Sequence, residues 1–554
     1  MALFERGENS ELVIALVGAV GTDLKRVSFH IKDRLELFEY KVHEIRVADK
    51  MIKGYYERLD RHDDNEGDNE GESSAFMRLK NLMDHGNVCR KEARGKNKQN
   101  NWKGGANDIL ACGAVNEICE KRKGATKERQ AYIIHSLKRP EEVELLRHVY
   151  GNGFYLFGVY SDEEMRRNNL INRGMKEEKA NELMKQDEDD KSSDYGQQTN
   201  ATFQLSDFFI DYNGNDIMIR NSIRRIIDLL FGHPHMTPTF GEYAMFHAYS
   251  ASLRSADLSR QIGAVVCRDN EILAYGANDC PKPGGGLYWM EVNKENNYEY
   301  KDAEGGRDYT TDYEKDPNKD EIEKIAQDMA ERALSCCKTG ATEEEEKELL
   351  RQIAEKLMKR DGRLNEISEY GRTAHAEMEA LTMCARNNIS CRGAKMYVTT
   401  FPCHMCTKLI IPSGITEVVY IQPYPKSKSF DMYKKQITRD PNDHKKTGKV
   451  LYTPFFGVGP TRFMELFSMI FGDLYQRVRK DKDNNDTIIK DWIPNGEKYL
   501  RNQIETCSYK EKEEKASIEW EKAPAQLSNI PMPVSHKLPR KKCDNIEHEF
   551  DAVQ

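Results

Sequence analysis

The strongest constraint on the fold is a regular alternation of apolar, strand-like runs with helical segments over residues 11–232. The strand-like runs are LVIALVG, VHEIRV, AYIIHSL, FYLFGVY and FFIDY, and a helix is predicted to begin near Asp23, after the first of them. This alternation is typical of a parallel sheet, because each parallel connection crosses the sheet as a helix. The first part of the chain is therefore predicted to be α/β, with helices flanking a parallel sheet.

A helix boundary separates this region from a second one. The helical segment NDIMIRNSIRRIIDLLFG ends at Gly232, and Pro234 and Pro238 cannot continue it, so a domain boundary is predicted near residue 235. Beyond it we expect a helix, a two-stranded hairpin and two further helix–strand pairs, interrupted by a long insertion at about 284–370. The predicted domains are residues 1–235 and 236–480, followed by a polar C-terminal extension at 481–554.

The composition restricts the expected cellular location of the protein and its expected binding partners. The longest apolar run, from Leu12 to Val20, is far shorter than the roughly 20 residues that a membrane-spanning helix needs. The first residues lack the basic and apolar regions of a secretory signal. We therefore expect a cytoplasmic protein with no membrane partner. The 13 cysteines lack the dense spacing of a disulfide scaffold, and the net charge of −8 gives no overall attraction for nucleic acid.

Two short motifs in the second region carry the chemistry. AHAEMEAL contains His375 and Glu377, and FPCHMC contains Cys403 and Cys406, which together form the H-x-E and P-C-x-x-C pair of zinc deaminases. A catalytic zinc takes three protein ligands and keeps a fourth position open, and one imidazole with two thiolates meets that count. We predict Zn²⁺ as the cofactor, His375, Cys403 and Cys406 as its ligands, and Glu377 as the catalytic residue.

The spacing of the second motif supports ligation. Cys403 and Cys406 are three residues apart on a predicted helix and face the same way, and Pro402 suits the first turn of that helix. The positive end of the helix favours both cysteines as thiolates. His404 is expected to be a surface or substrate contact, and Glu379 a supporting or solvated carboxylate. Either motif alone would also fit a core histidine or an incidental cysteine pair, and their occurrence on consecutive helices favours the metal site.

The expected reaction is hydrolytic removal of an amino group from a base. Zinc lowers the pKa of bound water from about 16 to about 7, which makes the water reactive toward an amidine carbon. A carboxylate beside the metal can take a proton from that water and deliver it to the ring nitrogen and then to the departing ammonia. Glu377 is expected to fill this role.

The sequence around these motifs resembles the deoxycytidylate deaminase family, which shares the order of RQIGAVVCRDNEILAYGAN, HAE and TTFPCHMCTKLIIPSGITEVVY. It is more closely similar to the bacterial anti-phage dCTP deaminases in SLRSADLSRQIGAVV, PKPGGGLYW, EYGRTAHAEMEAL, QPYPKSKS, FFGVGPTRFMELF, LVGAVGTDL and SLKRPEEVELLRHVYG. The resemblance covers most of residues 11–480.

It implies an α/β chain in which a P-loop-kinase-like parallel-sheet domain precedes a cytidine-deaminase-like α/β/α domain with a long insertion. The implied activity converts dCTP or dCMP to the deoxyuridine nucleotide, which drains a precursor of phage replication as antiviral defence.

The resemblance also suggests which residues contact the substrate. Asn278 in GAN corresponds to the residue that hydrogen-bonds the sugar hydroxyl in that family, and its alternative role is a turn asparagine. Basic residues in the segments of closest resemblance are candidate phosphate contacts, because a triphosphate requires charge-assisted donors. These residues are Arg254, Arg260, Lys426, Lys428 and Arg462. Each of them is alternatively a solvated surface charge.

The N-terminal segment GAVGTDLKR follows a strand and opens a helix, as a phosphate-binding loop does. Gly18, Gly21, Thr22 and Asp23 are therefore candidate nucleotide contacts. The segment is not a Walker A motif, because Leu24 stands at the position of the phosphate-binding lysine. We expect this domain to sense a nucleotide or to serve as a structural or regulatory scaffold, without phosphoryl transfer.

Two other classes of function are compatible with the motifs. A base deaminase acting on tRNA or single-stranded DNA would favour a basic surface, and the negative net charge argues against it, although residues 434–446 form a local basic patch. A nucleotide-sensing regulatory protein with an inactive site would be expected to lack the glutamate or a ligand, and all four are present. The expected partners are a deoxycytidine nucleotide substrate and further copies of the chain. A nucleotide effector at the N-terminal domain and an inhibitory partner or RNA are further candidates.

Overall fold

The structure, a computed structural model, describes residues 10–52, 74–96, 106–123, 128–188, 195–293, 299–302, 306–308, 316–335, 342–358, 364, 367, 369–422, 427–469, 479, 492, 498, 500–504 and 509–522. Within this part of the chain, no helix has the length and apolar character needed to cross a bilayer. The described residues form two units, each built on a six-stranded sheet.

The first sheet confirms the predicted α/β alternation. Its strands are β1 Leu12–Gly18, β2 Tyr40–Arg46, β3 Arg129–His135, β4 Phe154–Tyr160, β5 Phe208–Asp211 and β14 Gly457–Val458. They lie in the order β14-β5-β4-β1-β3-β2, in which β1 to β5 are parallel and β14 pairs antiparallel with β5. Every residue of β1 and β3 is buried, as expected for strands that are covered on both faces.

Helices cover both faces of this sheet. They are α1 Leu24–Glu36, α2 Ser74–Lys96, α3 Ile109–Lys123, α4 Pro140–Tyr150, α5 Glu163–Ile171, α6 Glu177–Glu188, α7 Thr199–Phe203 and α8 Asp216–Leu230. Side chains alternate across β1, so that Val13 and Val17 enter one apolar cluster while Ile14 and Leu16 enter the other. The sheet thus separates two cores.

The second sheet is mixed. Its strands are β6 Gly263–Arg268, β7 Glu271–Ala277, β10 Lys395–Thr400, β11 Glu417–Gln422, β12 Ile437–Thr438 and β13 Val450–Pro454, in the order β12-β13-β11-β10-β6-β7. The predicted hairpin is present, because β6 and β7 pair antiparallel across Asp269 and Asn270. Both turn residues have positive φ, at 52° and 61°, which suits a tight turn between twisted strands.

Five helices belong to the second unit: α9 Phe240–Ser252, α12 Ala376–Arg386, α13 His404–Ser413, α14 Ser429–Met432 and α15 Pro441–Thr447. A further helix, α16 Phe463–Phe467, places Leu466 in a core of the first unit. The predicted stop of α13 at Gly414 is confirmed, since this glycine has the left-handed φ of 86° that commonly ends a helix. Gly276 permits close packing of α12, because a Cβ there would lie 2.2 Å from the carbonyl oxygen of Ala376.

The predicted insertion contains a small hairpin and two helices. Its elements are β8 Glu291–Asn293, β9 Glu299–Lys301, α10 Pro317–Ser335 and α11 Glu343–Leu357. The hairpin pairs antiparallel, and α10 lies against α11. The two helices confirm the helical pattern expected for the second half of the insertion.

After the second sheet, the chain returns to the first unit. The β14 strand extends the first sheet, and Arg462 just beyond it binds Asp207 at 3.0 Å and Glu465 at 2.7 Å. On the first unit, Arg225 binds Glu242 of α9 at 2.7 Å. The Arg462 pairs are buried and hold the returning chain on the first unit, whereas the pair of Arg225 with the buried Glu242 joins the two units.

The C-terminal extension has a polar composition, but some of its apolar side chains are buried in the cores of the first unit. A last helix, α17 Tyr509–Lys522, packs on α3. Trp520 and Ile504 enter one core of the first unit, and Leu500 enters the other. The apolar residues are too sparse along this segment to show a period, yet they complete cores formed almost 400 residues earlier in the chain.

Candidate metal centre and substrate cavity

Two helix N-termini meet at one edge of the second sheet. Both β7 and β10 are antiparallel neighbours of β6, so they point the same way. Ala374, two residues before α12, exchanges two backbone hydrogen bonds with Asp279, two residues after β7, so α12 begins beside the end of β7. The other helix, α13, follows β10 directly. His375 is the N-cap residue of α12, and Cys403 is the N-cap residue of α13. The topology therefore brings together the two motifs.

His375, Cys403 and Cys406 form a compact cluster. The Nδ1 atom of His375 lies 3.4 Å from Sγ of Cys403 and 3.3 Å from Sγ of Cys406. The three potential ligand atoms all lie within 4.8 Å of one another. Pro402 precedes the N-cap, so the prediction that it occupies the first turn of the helix was wrong by two positions. As N-cap, Cys403 uses its sulfur to accept the backbone N–H of Cys406 at 3.5 Å.

The neighbours of Cys403 favour its thiolate form. Hydrogen bonds from Cys406 and then from His375 lower the pKa of Cys403 to about 4. The hydrogen bond to Cys403 raises the pKa of His375 to about 9, whereas burial raises that of the Cys406 thiol well above its usual value. A thiolate at a helix N-terminus, beside a second thiol and an imidazole, is a donor set that fits tetrahedral zinc with one open position.

Glu377 is the carboxylate next to this cluster. It lies in the first turn of α12 and is only 4% exposed. Burial, and then the nearby Cys403 thiolate, raise its pKa to about 7. A carboxyl group with this pKa can both accept and release a proton near neutral pH.

A cavity of about 220 Å³ opens onto the cluster. His375, Glu377, Cys403, Thr400 and Phe401 lie at its base on the second sheet and the two helices. The segment from Asp257 to Arg260, together with Ile262 and Asn278, lines a further part. The insertion contributes Asp308, Asp316 and Asn318, and Gly371 and Thr373 connect it to His375.

The candidate substrate residues divide into two groups. Asn278 and Arg260 line the cavity. The amide of Asn278 is already bonded at both ends, because Nδ2 donates to the carbonyl oxygen of Arg260 at 2.7 Å and Oδ1 accepts from the N–H of Ile262 at 2.6 Å. Asn278 therefore fixes the backbone that carries Arg260.

The other candidates are not among the residues that line the cavity. Arg254 donates to the carbonyl oxygen of Tyr288 at 2.6 Å and stacks 3.6 Å from the ring centre of Trp289. Lys428 precedes α14, and Lys426 lies outside the described residues. Arg462 was also predicted to contact phosphate, and in the structure two carboxylates and the carbonyl oxygen of Phe154 occupy its guanidinium.

Several cavity residues had no role in the sequence-based prediction. Thr400 and Phe401 directly precede the cysteine motif, and Asp257 lies three residues before Arg260, so proximity in sequence was an available signal. Asp308 and Asn318 offered no such signal, because only folding of the insertion brings them to the cavity. His404 is close to Glu369, at 3.7 Å, and Glu379 binds Arg386 at 3.0 Å.

The predicted nucleotide loop is engaged by the protein itself. Asp23 caps α1 by accepting the N–H groups of Lys25 and Arg26, which a phosphate would otherwise contact. Asp187 accepts the N–H of Val20 at 2.7 Å and binds Lys138 at 2.7 Å. These contacts leave the amide groups of Val20, Lys25 and Arg26 occupied by carboxylates.

Gly18, Gly21 and Thr22 have mainly local roles in this loop. A Cβ at Gly18 would lie 2.9 Å from the Leu24 side chain, and Gly21 has a φ of 90° with Arg166 packed against it. Gly21 therefore requires glycine for the turn and its close packing, whereas a side chain at Gly18 would meet only the movable end of Leu24 at this distance. The Thr22 side chain is buried, and its hydroxyl has no hydrogen-bond partner among the described residues.

Comparisons with known proteins agree with the site. Residues 238–422 match the family described as "Cytidine and deoxycytidylate deaminase zinc-binding region". His375, Cys403 and Cys406 lie within this matched region, and Zn²⁺ as cofactor is confirmed.

The matched segments are short. Deoxycytidylate deaminase of Enterobacteria phage T2 is 50% identical over 54 residues, which are 10% of this chain and 29% of that protein. ComE operon protein 2 of Bacillus subtilis is 45% identical over 53 residues, or 10% of this chain and 28% of that protein. Among solved structures, apo dCMP deaminase from cyanophage S-TIM5 aligns with 40% of this chain and 100% of its own, at 17% identity and a TM-score of 0.20. The chain therefore matches less than a third of the length of these two sequence relatives.

Replacing either cysteine of the cluster is expected to release zinc. Cys403→Ser or Cys406→Ser leaves two of the three proposed protein ligands, so zinc content should fall well below one ion per chain. Elemental analysis of the purified variants measures this directly. Cys391→Ser, which changes a thiol outside the cluster, is the matched control and should keep its zinc. Full zinc content in both cluster variants would disprove the ligand assignment.

Proposed function

We propose that this protein is a zinc-dependent hydrolytic deaminase of deoxycytidine nucleotides, which converts dCTP, dCMP or both to the deoxyuridine nucleotide and ammonia. The observation that carries the proposal is the buried carboxylate of Glu377 beside the cluster of His375, Cys403 and Cys406, with Glu377, His375 and Cys403 lining one cavity. A metal site of this composition with an unligated glutamate is the arrangement that base deamination requires. The role in a phage-infected cell would be depletion of the dCTP pool.

The mechanism assigns separate tasks to the residues of the site. His375, Cys403 and Cys406 would hold the zinc, which when bound acts as a Lewis acid that activates water toward the amidine carbon. Glu377 takes a proton from the attacking water and delivers it to the ring nitrogen of the base. It then takes the remaining proton from the added hydroxyl and passes it to the amino group, which leaves as ammonia when the carbon–nitrogen bond breaks. Burial of Glu377 keeps bulk water from competing for these protons.

The lining of the cavity supports a small nucleotide. Phe401 gives it an aromatic wall against which a pyrimidine can pack. Arg260 is the only lysine or arginine among the residues described as lining the cavity, and it is the proposed phosphate contact. Asp257, Asp308 and Asp316 line the same cavity, and their charges disfavour a long polyanion such as tRNA or single-stranded DNA.

A substrate panel tests this proposal. Purified protein should deaminate dCTP or dCMP much faster than free cytosine, a cytosine-containing DNA oligonucleotide or tRNA, because the cavity is small and has a single basic side chain among its described lining residues. Chromatography of the reaction mixtures separates each uracil product from its substrate. Faster turnover of the oligonucleotide or tRNA than of either nucleotide would favour a nucleic-acid deaminase instead.

Replacing Glu377 with glutamine should stop turnover without removing the metal. Gln keeps the size and hydrogen bonding of the side chain but cannot move protons, so the rate should fall by about 10² to 10⁴ or more. Zinc content, melting temperature and turnover are measured on one preparation. Glu379→Gln, two residues along the same helix, is the matched control and should keep most of its activity. Near-normal turnover of zinc-loaded Glu377→Gln would remove this residue from the mechanism.

We also propose that the first unit binds a nucleotide effector. The connections after β1 and β3 lead to opposite sides of the sheet, and ligands of open α/β sheets bind beyond the carboxyl ends of strands at such a point. Three buried side chains near this edge have polar atoms without a partner in the described residues: the hydroxyls of Thr22 and Ser161, and Nε and Nη1 of Arg166. Unpaired buried donors carry a free-energy cost that a phosphate would remove.

Binding of nucleoside triphosphates tests the effector proposal. Equilibrium dialysis with ATP and the four deoxynucleoside triphosphates should detect a ligand whose affinity falls about tenfold or more in Arg166→Ala. Lys25→Ala removes an exposed cation near the loop and is the matched control, which should keep its affinity. No transfer of the γ-phosphate is expected, because Leu24 replaces the phosphate-binding lysine. Equal affinity in wild type and Arg166→Ala would contradict the proposed site.

A further inference from the structure

The segment of residues 369–374, which we call the approach segment, connects the insertion to His375. Two of its residues, Gly371 and Thr373, line the cavity. The position of this segment therefore sets part of the cavity wall and the direction in which the chain enters the metal cluster. Three sets of contacts fix it, and each set involves a different residue of the segment.

The first contact is at the base. Ala374 and Asp279 exchange two backbone hydrogen bonds, at 2.9 Å and 3.2 Å, which join the two ends of the insertion. Further out, Arg372 donates to Asp308 at 3.2 Å and to the carbonyl oxygen of Gly306 at 3.3 Å. Asp308 also accepts from the thiol of Cys280 at 3.5 Å, so this second contact is anchored to the chain just beyond β7.

The third contact is made by a single side chain. Asn318, in the first turn of α10, donates from Nδ2 to the carbonyl oxygen of Ile367 at 2.9 Å. Its Oδ1 accepts the backbone N–H of Tyr370 at 3.2 Å. The backbone N–H of Asn318 is bonded to Asp316 at 2.9 Å, so the turn that presents this amide is itself fixed.

Asn318 thus bonds to Ile367 and to Tyr370, at the start of the approach segment. Asp316 and Asn318 themselves line the cavity, although they are more than 50 residues from His375 in sequence. The wall is made of two segments that are distant in sequence, and Asn318, which belongs to the first, joins them through its bonds to Ile367 and Tyr370 of the second. Fixing a wall in the binding geometry lowers the cost of ordering it when substrate enters.

We propose that the insertion forms the substrate-binding wall of the cavity and that Asn318 is the positioning residue that holds this wall in place. The inference rests on the proposed deaminase function. It goes further by naming the part of the chain that determines substrate affinity. Asn318 has no described contact with the metal cluster or Glu377, so its effect falls on substrate binding and leaves the chemical step unchanged.

Asn318→Ala removes both hydrogen bonds, and Asn318→Asp keeps the acceptor for Tyr370 but loses the donor for Ile367. For the deoxycytidine nucleotide that wild type turns over best, KM should rise about tenfold in Asn318→Ala and by a smaller factor in Asn318→Asp. The kcat and the zinc content should stay within about twofold of wild type. Lys319→Ala, on the next residue of the same helix and exposed, is the matched control and should change neither parameter.

The KM does not depend on how much of a preparation is correctly folded, so a purely structural defect would lower apparent kcat and zinc content while leaving KM unchanged. That pattern, or an unchanged KM in Asn318→Ala, would overturn the inference. Hydrogen exchange of a peptide covering residues 367–374 supplies a readout without activity: its amides should exchange faster in Asn318→Ala, and equal exchange would also overturn the inference. A wild-type protein that deaminates no deoxycytidine nucleotide would instead refute the proposed function.

Discussion

The metal centre depends on two helices that begin at the same edge of one sheet. His375 and Cys403 are N-cap residues, so each lies where its helix presents unpaired backbone N–H groups and partial positive charge. That charge favours sulfur in its ionised form, which is the form that binds metal. The sheet order puts β10 beside β6 and β6 beside β7, and this order, with the backbone bonds between Asp279 and Ala374, brings the two helix ends together. The fold of the second unit and the chemistry of its site therefore have one common cause.

The metal site also depends on contacts with parts of the chain that contain no proposed zinc ligand. Arg439 lies with its guanidinium 4.2 Å from the ring centre of Phe430, and Phe430 stacks on Phe401 of the cavity with ring centres 5.9 Å apart. At the junction of the units, Glu242 is fully buried and is held by Arg225. Removing one partner of such a pair leaves an uncompensated buried charge, at a cost of about 3–5 kcal/mol.

Local patterns in the sequence were sufficient to predict many of the strands and helices and the residues of the metal cluster. The strands of the first unit, the β6–β7 hairpin and the stop of α13 at Gly414 each follow from residue types within a few positions. The cluster was predictable because its two motifs occupy consecutive helices around a single strand. The proton-transfer role of Glu377 follows from the same motif and remains a prediction until it is measured.

Long-range contacts explain what the sequence could not predict. An arginine has the same chemistry toward phosphate and toward carboxylate, so residue type could not distinguish Arg260, which lines the cavity, from Arg462, which binds Asp207 and Glu465. Asn318 reaches the cavity only through the folded insertion. In the C-terminal segment, Trp520 and Ile504 were hidden among charged residues, and their burial depends on a surface made by α3 and its neighbours.

The small strand β14 has a consequence for how the protein is made. It covers the outer edge of β5, although about 245 residues separate the two strands in the chain. During synthesis from the N-terminus, nearly the whole second unit leaves the ribosome before β14 does. The outer edge of β5 therefore stays unpaired until that point. An exposed strand edge is a template for association with other chains. The nascent protein therefore passes through a period in which correct folding competes with aggregation at this edge, and the period ends only when residues 457 and 458 have been synthesised.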